Sequence, residues 1–297
     1  MTTEPTEVIA RTLDFEVNKV ETLQIEELVQ TASERNSGGT PVFGVEHHEL
    51  FSMLMGKMSH LGIDYEVQPI YAADGGAKSL PGVMRLPYLE NKYGERALQS
   101  WLIRRIIGAI HLRYGENNES IGSIGISFHQ QGIQISYGQM IKLCANMCIM
   151  GTRNVISTYG DDNKITSIDK MIEVVGDWVQ DHQVKRDRDL RIFENMKQIP
   201  MSYPQTAELI GDMNIMRVNR DILRTGKNYA LNQGQISQFT EKYVKAYRNN
   251  PEDADNLWKL YNMATEFHKP GETEITQIIP NNVTLSDFMI KKFQLDN

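Results

Sequence analysis

Apolar positions recur at helical spacing in the first sixty residues. Val20, Leu23, Leu28 and Ala32 predict a helix over 18–35, with Gly38-Gly39 as its stop. Leu50, Phe51, Leu54, Met55, Met58 and Leu61 form one stripe of a second helix that begins near Glu46 and ends at Gly62. Residues 63–72 read as a strand, and 79–95, with Pro81, Gly82, Pro87 and Gly94, as irregular chain. Over 101–159 the pattern changes to β-branched and aromatic residues alternating with Gly, Ser and Gln. Residues 124–129 and 133–137 flank Gln130-Gln131-Gly132 as a β-hairpin, and 140–150 reads as a third strand.

After Asp161-Asp162-Asn163 the period returns to that of a helix. Ile168, Met171, Ile172, Val175, Trp178 and Val179 mark one, which runs on through 182–197 as a more solvated segment. Ser202-Tyr203-Pro204-Gln205 is a helix start, with Ser202 as its cap and Pro204 in the first turn. Ile236, Phe239, Tyr243, Val244 and Tyr247 mark a helix broken by Pro251. Leu257, Leu260, Tyr261, Ala264 and Phe267 mark the next, ended by Pro270-Gly271. Ser286 reads as the start of a short final helix. The expected fold is α+β: residues 1–160 hold an acidic arm and a mostly antiparallel central sheet, and 161–297 are mainly helical.

Composition fits a packed protein, since 40% of the 297 residues are hydrophobic and only 23% charged. The net charge of −7 disfavours a protein that coats nucleic acid without regard to sequence. That charge is unevenly spread. Residues 1–50 hold three basic and ten acidic residues, a net −7, whereas 181–250 hold twelve basic and eight acidic, a net +4. The polar, acidic start Thr2-Thr3-Glu4-Pro5 is neither a signal nor a transit peptide. The apolar stretch 101–112 is interrupted by Arg104 and Arg105, so no membrane span is expected. Cys144 and Cys148 read as buried thiols, which points to a cytoplasmic protein.

Local motifs offer little chemistry. Residues 74–79 (Asp-Gly-Gly-Ala-Lys-Ser) lack the Gly-x-x-x-x-Gly-Lys spacing of a phosphate loop. His47-His48-Glu49 lacks the second histidine of a zinc helix, and reads as solvated residues near a helix start. His129 sits at a hairpin tip without a local Ser, Cys or carboxylate partner. Asp161-Asp162-Asn163 lacks the wider ligand spacing of a cation loop. These features predict no catalytic residue, metal or cofactor, although a site assembled from distant residues is a further alternative. Met53, Met55, Met58, Met213 and Met216 read as core filling, with an adaptable binding surface as the other reading. The basic stretch is the remaining candidate. Lys185, Arg186, Arg188, Arg191, Arg217, Arg220 and Arg224 precede Lys242, Lys245 and Arg248, which share a helix with Tyr243 and Tyr247. Cations beside aromatic rings suit single-stranded nucleic acid; a salt-bridged helical surface is the plainer reading.

Two regions, 121–150 and 202–297, carry a resemblance. The first is a Gly-punctuated hairpin running into Ile-Lys-Leu-Cys-Ala-Asn-Met-Cys at 141–148; the second contains Leu-Trp-Lys-Leu-Tyr-Asn-Met-Ala-Thr-Glu at 257–266. Their order is similar to uncharacterised proteins of the phage/plasmid-like group of bacterial mobile elements. The resemblance implies a mobile-element origin and an α+β fold, and lends no catalytic residue. It marks Trp258, Tyr261, Asn262, Thr265 and Glu266, for which a structural role is expected, Asn262 bonding backbone across a helix junction. The expected function is that of a non-catalytic phage or mobile-element protein. It would bind and block a host protein complex in the bacterial cytoplasm, as an anti-defence inhibitor working as a homo-oligomer. A single-strand nucleic-acid binding or annealing factor acting through 185–248 is the alternative.

Overall fold

A computed structural model describes residues 20–30, 44–73, 105–113, 120–129, 132–141, 149–158, 164–223, 229–269, 273 and 275–296. The chain is α+β, with an antiparallel sheet and helices concentrated in the C-terminal half. Strands β1 (Glu21–Leu23), β2 (Tyr65–Val67), β3 (Ile70–Ala73), β4 (Arg105–Leu112), β5 (Ser120–His129), β6 (Gly132–Ile141) and β7 (Ile149–Thr158) form one sheet, ordered β1-β3-β4-β5-β6-β7. Strand β2 pairs with the end of β4 and β3 with its start. The stretch expected as one strand over 63–72 is thus two short ones, parted at Gln68-Pro69. Proline has no N–H to give the ladder, while the Gln68 N–H still reaches the Ala109 carbonyl at 2.9 Å.

Helix α1 (His47–His60) follows the expected stripe, with Leu50, Phe51, Leu54 and Met58 fully buried. Gly62 leaves it at φ +68°, a conformation that suits glycine. Of the helix expected over 18–35, the described residues 20–30 instead form β1 and a 3-10 turn, Ile25–Gln30. Glu21, Thr22 and Leu23 pair with Ala72, Tyr71 and Ile70, so long-range pairing decides what local spacing left ambiguous. The β5–β6 hairpin forms as expected. The third strand begins only at Ile149, and residues 142–148, with both cysteines, lie outside the described residues.

Alternation along β4–β6 gives the sheet two unlike faces. Ile106, Ile110, Ile124, Ile126, Phe128, Ile133, Ile135 and Tyr137 share one face. They pack with α1 and with helix α2 (Lys164–Gln180) in a single core that also holds Ile168, Met171, Val175 and Val179. The other face carries Ile107 and Ala109 beneath Ile275, Ile278 and Ile279. Its Ser123, Ser127, Gln134 and Ser136 are also buried. Glycine at 108 lets the Phe51 ring lie on the strand. A Cβ there would stand 2.8 Å from Phe51 Cζ and 3.1 Å from Ile70 Cγ1, both fully buried side chains. Gly108→Ala should cost about 1–3 kcal/mol by overpacking, read as a lower urea midpoint at unchanged slope.

The second core belongs to helices α3 (His182–Gln198), α4 (Tyr203–Leu223), α5 (Gln233–Asn249), α6 (Leu257–Thr265) and α7 (Ile278–Phe293). Helix α3, expected to be solvated, buries Ile192, Phe193 and Met196 in it. The core boundary therefore falls between α2 and α3, so α2 packs with the sheet rather than with the helices that follow it. Asn232 caps α5 reciprocally with Gln235, and Pro251 opens a 3-10 turn just beyond that helix. Helix α6 stops at Thr265, before Pro270-Gly271. Helix α7 begins at Ile278, eight residues ahead of the expected start at Ser286. Pro280 sits in its first turn, where no intrahelical N–H bond is lost.

Candidate functional site

The residues marked by the resemblance hold the second core together. Trp258 is buried, its ring 5.0 Å from that of Phe193 and stacked 6.1 Å from that of Tyr261. The Tyr261 hydroxyl meets Ser286 Oγ at 2.9 Å, a buried tie between α6 and α7. Thr265 Oγ1 donates to the Asn262 carbonyl at 2.8 Å, and that carbonyl also accepts from the Glu266 N–H. Glu266 takes a salt bridge from Lys242 of α5. These contacts close the end of α6 and pin it to its neighbours.

Beside them His268 is fully buried between the loop at 229–231 and α7. Its Nε2 lies 2.6 Å from the Ala230 carbonyl oxygen and its Nδ1 2.6 Å from Asn282 Oδ1. Burial lowers its pKa, against the raising effect of both bonds. A neutral imidazole carries one N–H to donate to the two oxygens that face it. This is a structural joint linking three segments.

Three cations of the basic stretch are bonded within the chain. Arg188 pairs with Asp296 at 3.3 Å, Lys242 with Glu266, and Arg217 bonds Asn214 Oδ1 at 3.1 Å. Arg186 is half-buried; Arg191, Lys245 and Arg248 are exposed. Lys185 and Arg220 lie in α3 and α4, but their side chains fall outside the described residues, as does all of Arg224. The tyrosines of α5 do not share a face with its free cations. Lys245 is two residues from both Tyr243 and Tyr247, so at 3.6 residues per turn it points roughly 160° away from each. Glu241, Lys245 and Arg248 instead share one stripe, where the acid offsets part of the charge.

What α5 does build is an aromatic cluster with Tyr203, the first residue of α4. Ring centroids are 5.3 Å apart for Tyr203–Tyr247, 6.0 Å for Tyr203–Tyr243 and 5.9 Å for Tyr243–Tyr247. Tyr243 is buried beneath the other two, whereas Tyr203 and Tyr247 remain 48% and 42% exposed. The i, i+4 tyrosines were visible in sequence. Their partner forty residues upstream was not, because it arrives by the antiparallel packing of α4 on α5.

A second constellation comes from sheet register. Glu66, His111 and Ser123 stand directly opposite one another on β2, β4 and β5, in an acid–imidazole–hydroxyl order. The geometry does not make a nucleophile of it. The Glu66 carboxylate is exposed and paired with Arg113 at 3.3 Å, while Ser123 is fully buried with its hydroxyl on the Ile121 carbonyl. His47, expected to be solvated, is fully buried with its ring edge-on to Phe128 at 4.5 Å, so the start of α1 belongs to the core. The side chain of His129 and all of 74–79 and 161–163 lie outside the described residues. Among the described residues no three His, Cys, Asp or Glu side chains gather where a metal could be held. No helix there is long and apolar enough to cross a membrane.

Fold and site together define the class: an α+β protein whose sheet carries helices on one face and part of a helical C-terminal unit on the other, with an aromatic face exposed on that unit. Compared with known proteins, the chain matches no family model, no curated protein and no solved structure.

Proposed function

We infer that the protein is a non-catalytic binding protein that attaches to another protein through the α4–α5 tyrosine face. The observation that carries this reading is the exposure of Tyr203 and Tyr247 over the buried Tyr243. Large aromatic rings held rigidly at a surface are the groups that most often dominate protein interfaces. Of the cations that a nucleic-acid reading needs, Arg188, Arg217 and Lys242 are bonded within the chain, and Lys245 and Arg248 lie on another face of α5 than the tyrosines. In keeping with the sequence resemblance, the partner is a host protein complex, and blocking it is the activity; assembly of the chain into an oligomer would multiply its contacts.

Tagged wild-type protein and a Tyr203→Ala/Tyr247→Ala double variant, each passed through nuclease-treated bacterial lysate, test this. A protein retained by the wild type should be lost from the variant, by a factor of about 30 or more for a truncated hot spot. The double variant should keep close to the wild-type thermal midpoint, because the two rings are half exposed. Equal retention by both, or no protein retained by the wild type, contradicts the reading.

A further inference from the structure

We propose that the C-terminal helices α3–α7 form a hinged cover, which pivots at Asp181 and lifts from the polar face of the sheet; this stands apart from the tyrosine face. Three observations carry it. The first is connectivity. Helix α2 ends at Gln180 in the sheet core and α3 begins at His182 in the helical core, with Asp181 between them in a turn. Among the described residues the chain passes from one core to the other once, at this turn, which is where a hinge belongs. The second is how α7 is tied. Ser286 and Asn282 hold it to Tyr261 and His268 of the same unit at 2.9 and 2.6 Å, and its Leu285, Met289 and Ile290 lie in the helical core. Toward the sheet it offers Ile278 and Ile279, with Ile275 of the turn before it, against Ala73, Ile107 and Ala109. On lifting, α7 therefore leaves with the helices and does not stay on the sheet.

The third observation is the surface that lifting uncovers. On the polar face Ser127 of β5 stands opposite Gln134, and Ser136 of β6 opposite Gly125. Both serines are buried, and their hydroxyls have no hydrogen-bond partner. A buried hydroxyl left unbonded costs the closed arrangement its desolvation, which water returns once the face opens. The other face of the sheet is sealed by a continuous apolar core with α1 and α2. Lifting the cover therefore takes less free energy than unfolding the sheet beneath it.

Thiol labelling of the full chain tests this, in a background carrying Cys144→Ser and Cys148→Ser. Ser136→Cys reports the covered face, and Ala72→Cys, fully buried in the apolar core, reports unfolding of the sheet. Without denaturant, an aromatic disulfide reagent in excess should label Ser136→Cys about tenfold or more faster than Ala72→Cys, with a weaker dependence on urea. Ile110→Val, which takes one methyl from the apolar core, should speed labelling of Ala72→Cys severalfold and leave that of Ser136→Cys unchanged. Equal rates at the two positions, or equal acceleration of both by Ile110→Val, overturn the proposal, since either means that the polar face opens only when the whole chain unfolds.

Discussion

Phe51→Ala should cost about 3–5 kcal/mol, enough to unfold a domain of ordinary stability at 37 °C. Phe51 is fully buried on α1 and its ring lies over Gly108 in the middle of β4, with Ile70 alongside. It joins the helix to the sheet at the one glycine of β4. Truncation therefore opens a void that glycine cannot help fill, and the loss exceeds simple transfer of a ring. Chemical denaturation should show a large fall in midpoint, or no cooperative transition at all. Gly108→Ala combined with Phe51→Ala should be less damaging than the sum of the two, because the added methyl occupies space the ring has left. Strict additivity would contradict this packing.

The second large effect concerns His268. Removing the imidazole by His268→Ala takes a buried partner from the Ala230 carbonyl and from Asn282 Oδ1 and opens a cavity. About 2–4 kcal/mol should be lost. The intact residue also makes stability depend on pH. Its pKa is lowered in the folded chain, first by burial, so the native state holds it neutral where the unfolded chain takes up a proton. Below about pH 6.5, the ordinary histidine value, the unfolded state binds more protons than the native state, and stability falls as pH is reduced. Above that value the residue contributes no pH dependence. Urea midpoints at pH 7.5, 6.0 and 5.0 should decline for the wild type and decline less for His268→Gln. Parallel declines would show that other groups carry the acid sensitivity.

These two sites differ in how much of them the sequence reveals. The α1 stripe, with Phe51 on it, follows directly from 3.6-residue spacing and the glycine that ends it. The β5–β6 hairpin follows from two-residue alternation around Gln130-Gln131-Gly132. What failed were elements decided by distant partners. Val20 and Leu23 fit a helix or a strand equally, and pairing with 70–72 selects the strand. Helix α7 starts at Ile278, ahead of Pro280, Asn281 and Asn282, which are poor helix formers. Here proline falls in the first turn and Asn282 meets His268, while Ser286, expected at the helix start, is mid-helix and bonded to Tyr261. The basic stretch was legible as a composition but not as a surface, since its partners Asp296 and Glu266 lie far along the chain. Tyr203 carried no signal beyond a helix start, and its meaning comes only from the rings it meets.

Site-specific photo-crosslinking tests the central claim most directly. A benzoyl-phenylalanine at position 247 would sit on the tyrosine face, and one at 245 on the opposite, basic side of α5. After irradiation in bacterial lysate, position 247 should give a discrete protein adduct and position 245 none. Nucleic-acid adducts from 245, or no protein adduct from 247 while 245 gives one, would contradict the claim that the chain works by presenting its tyrosine face to another protein.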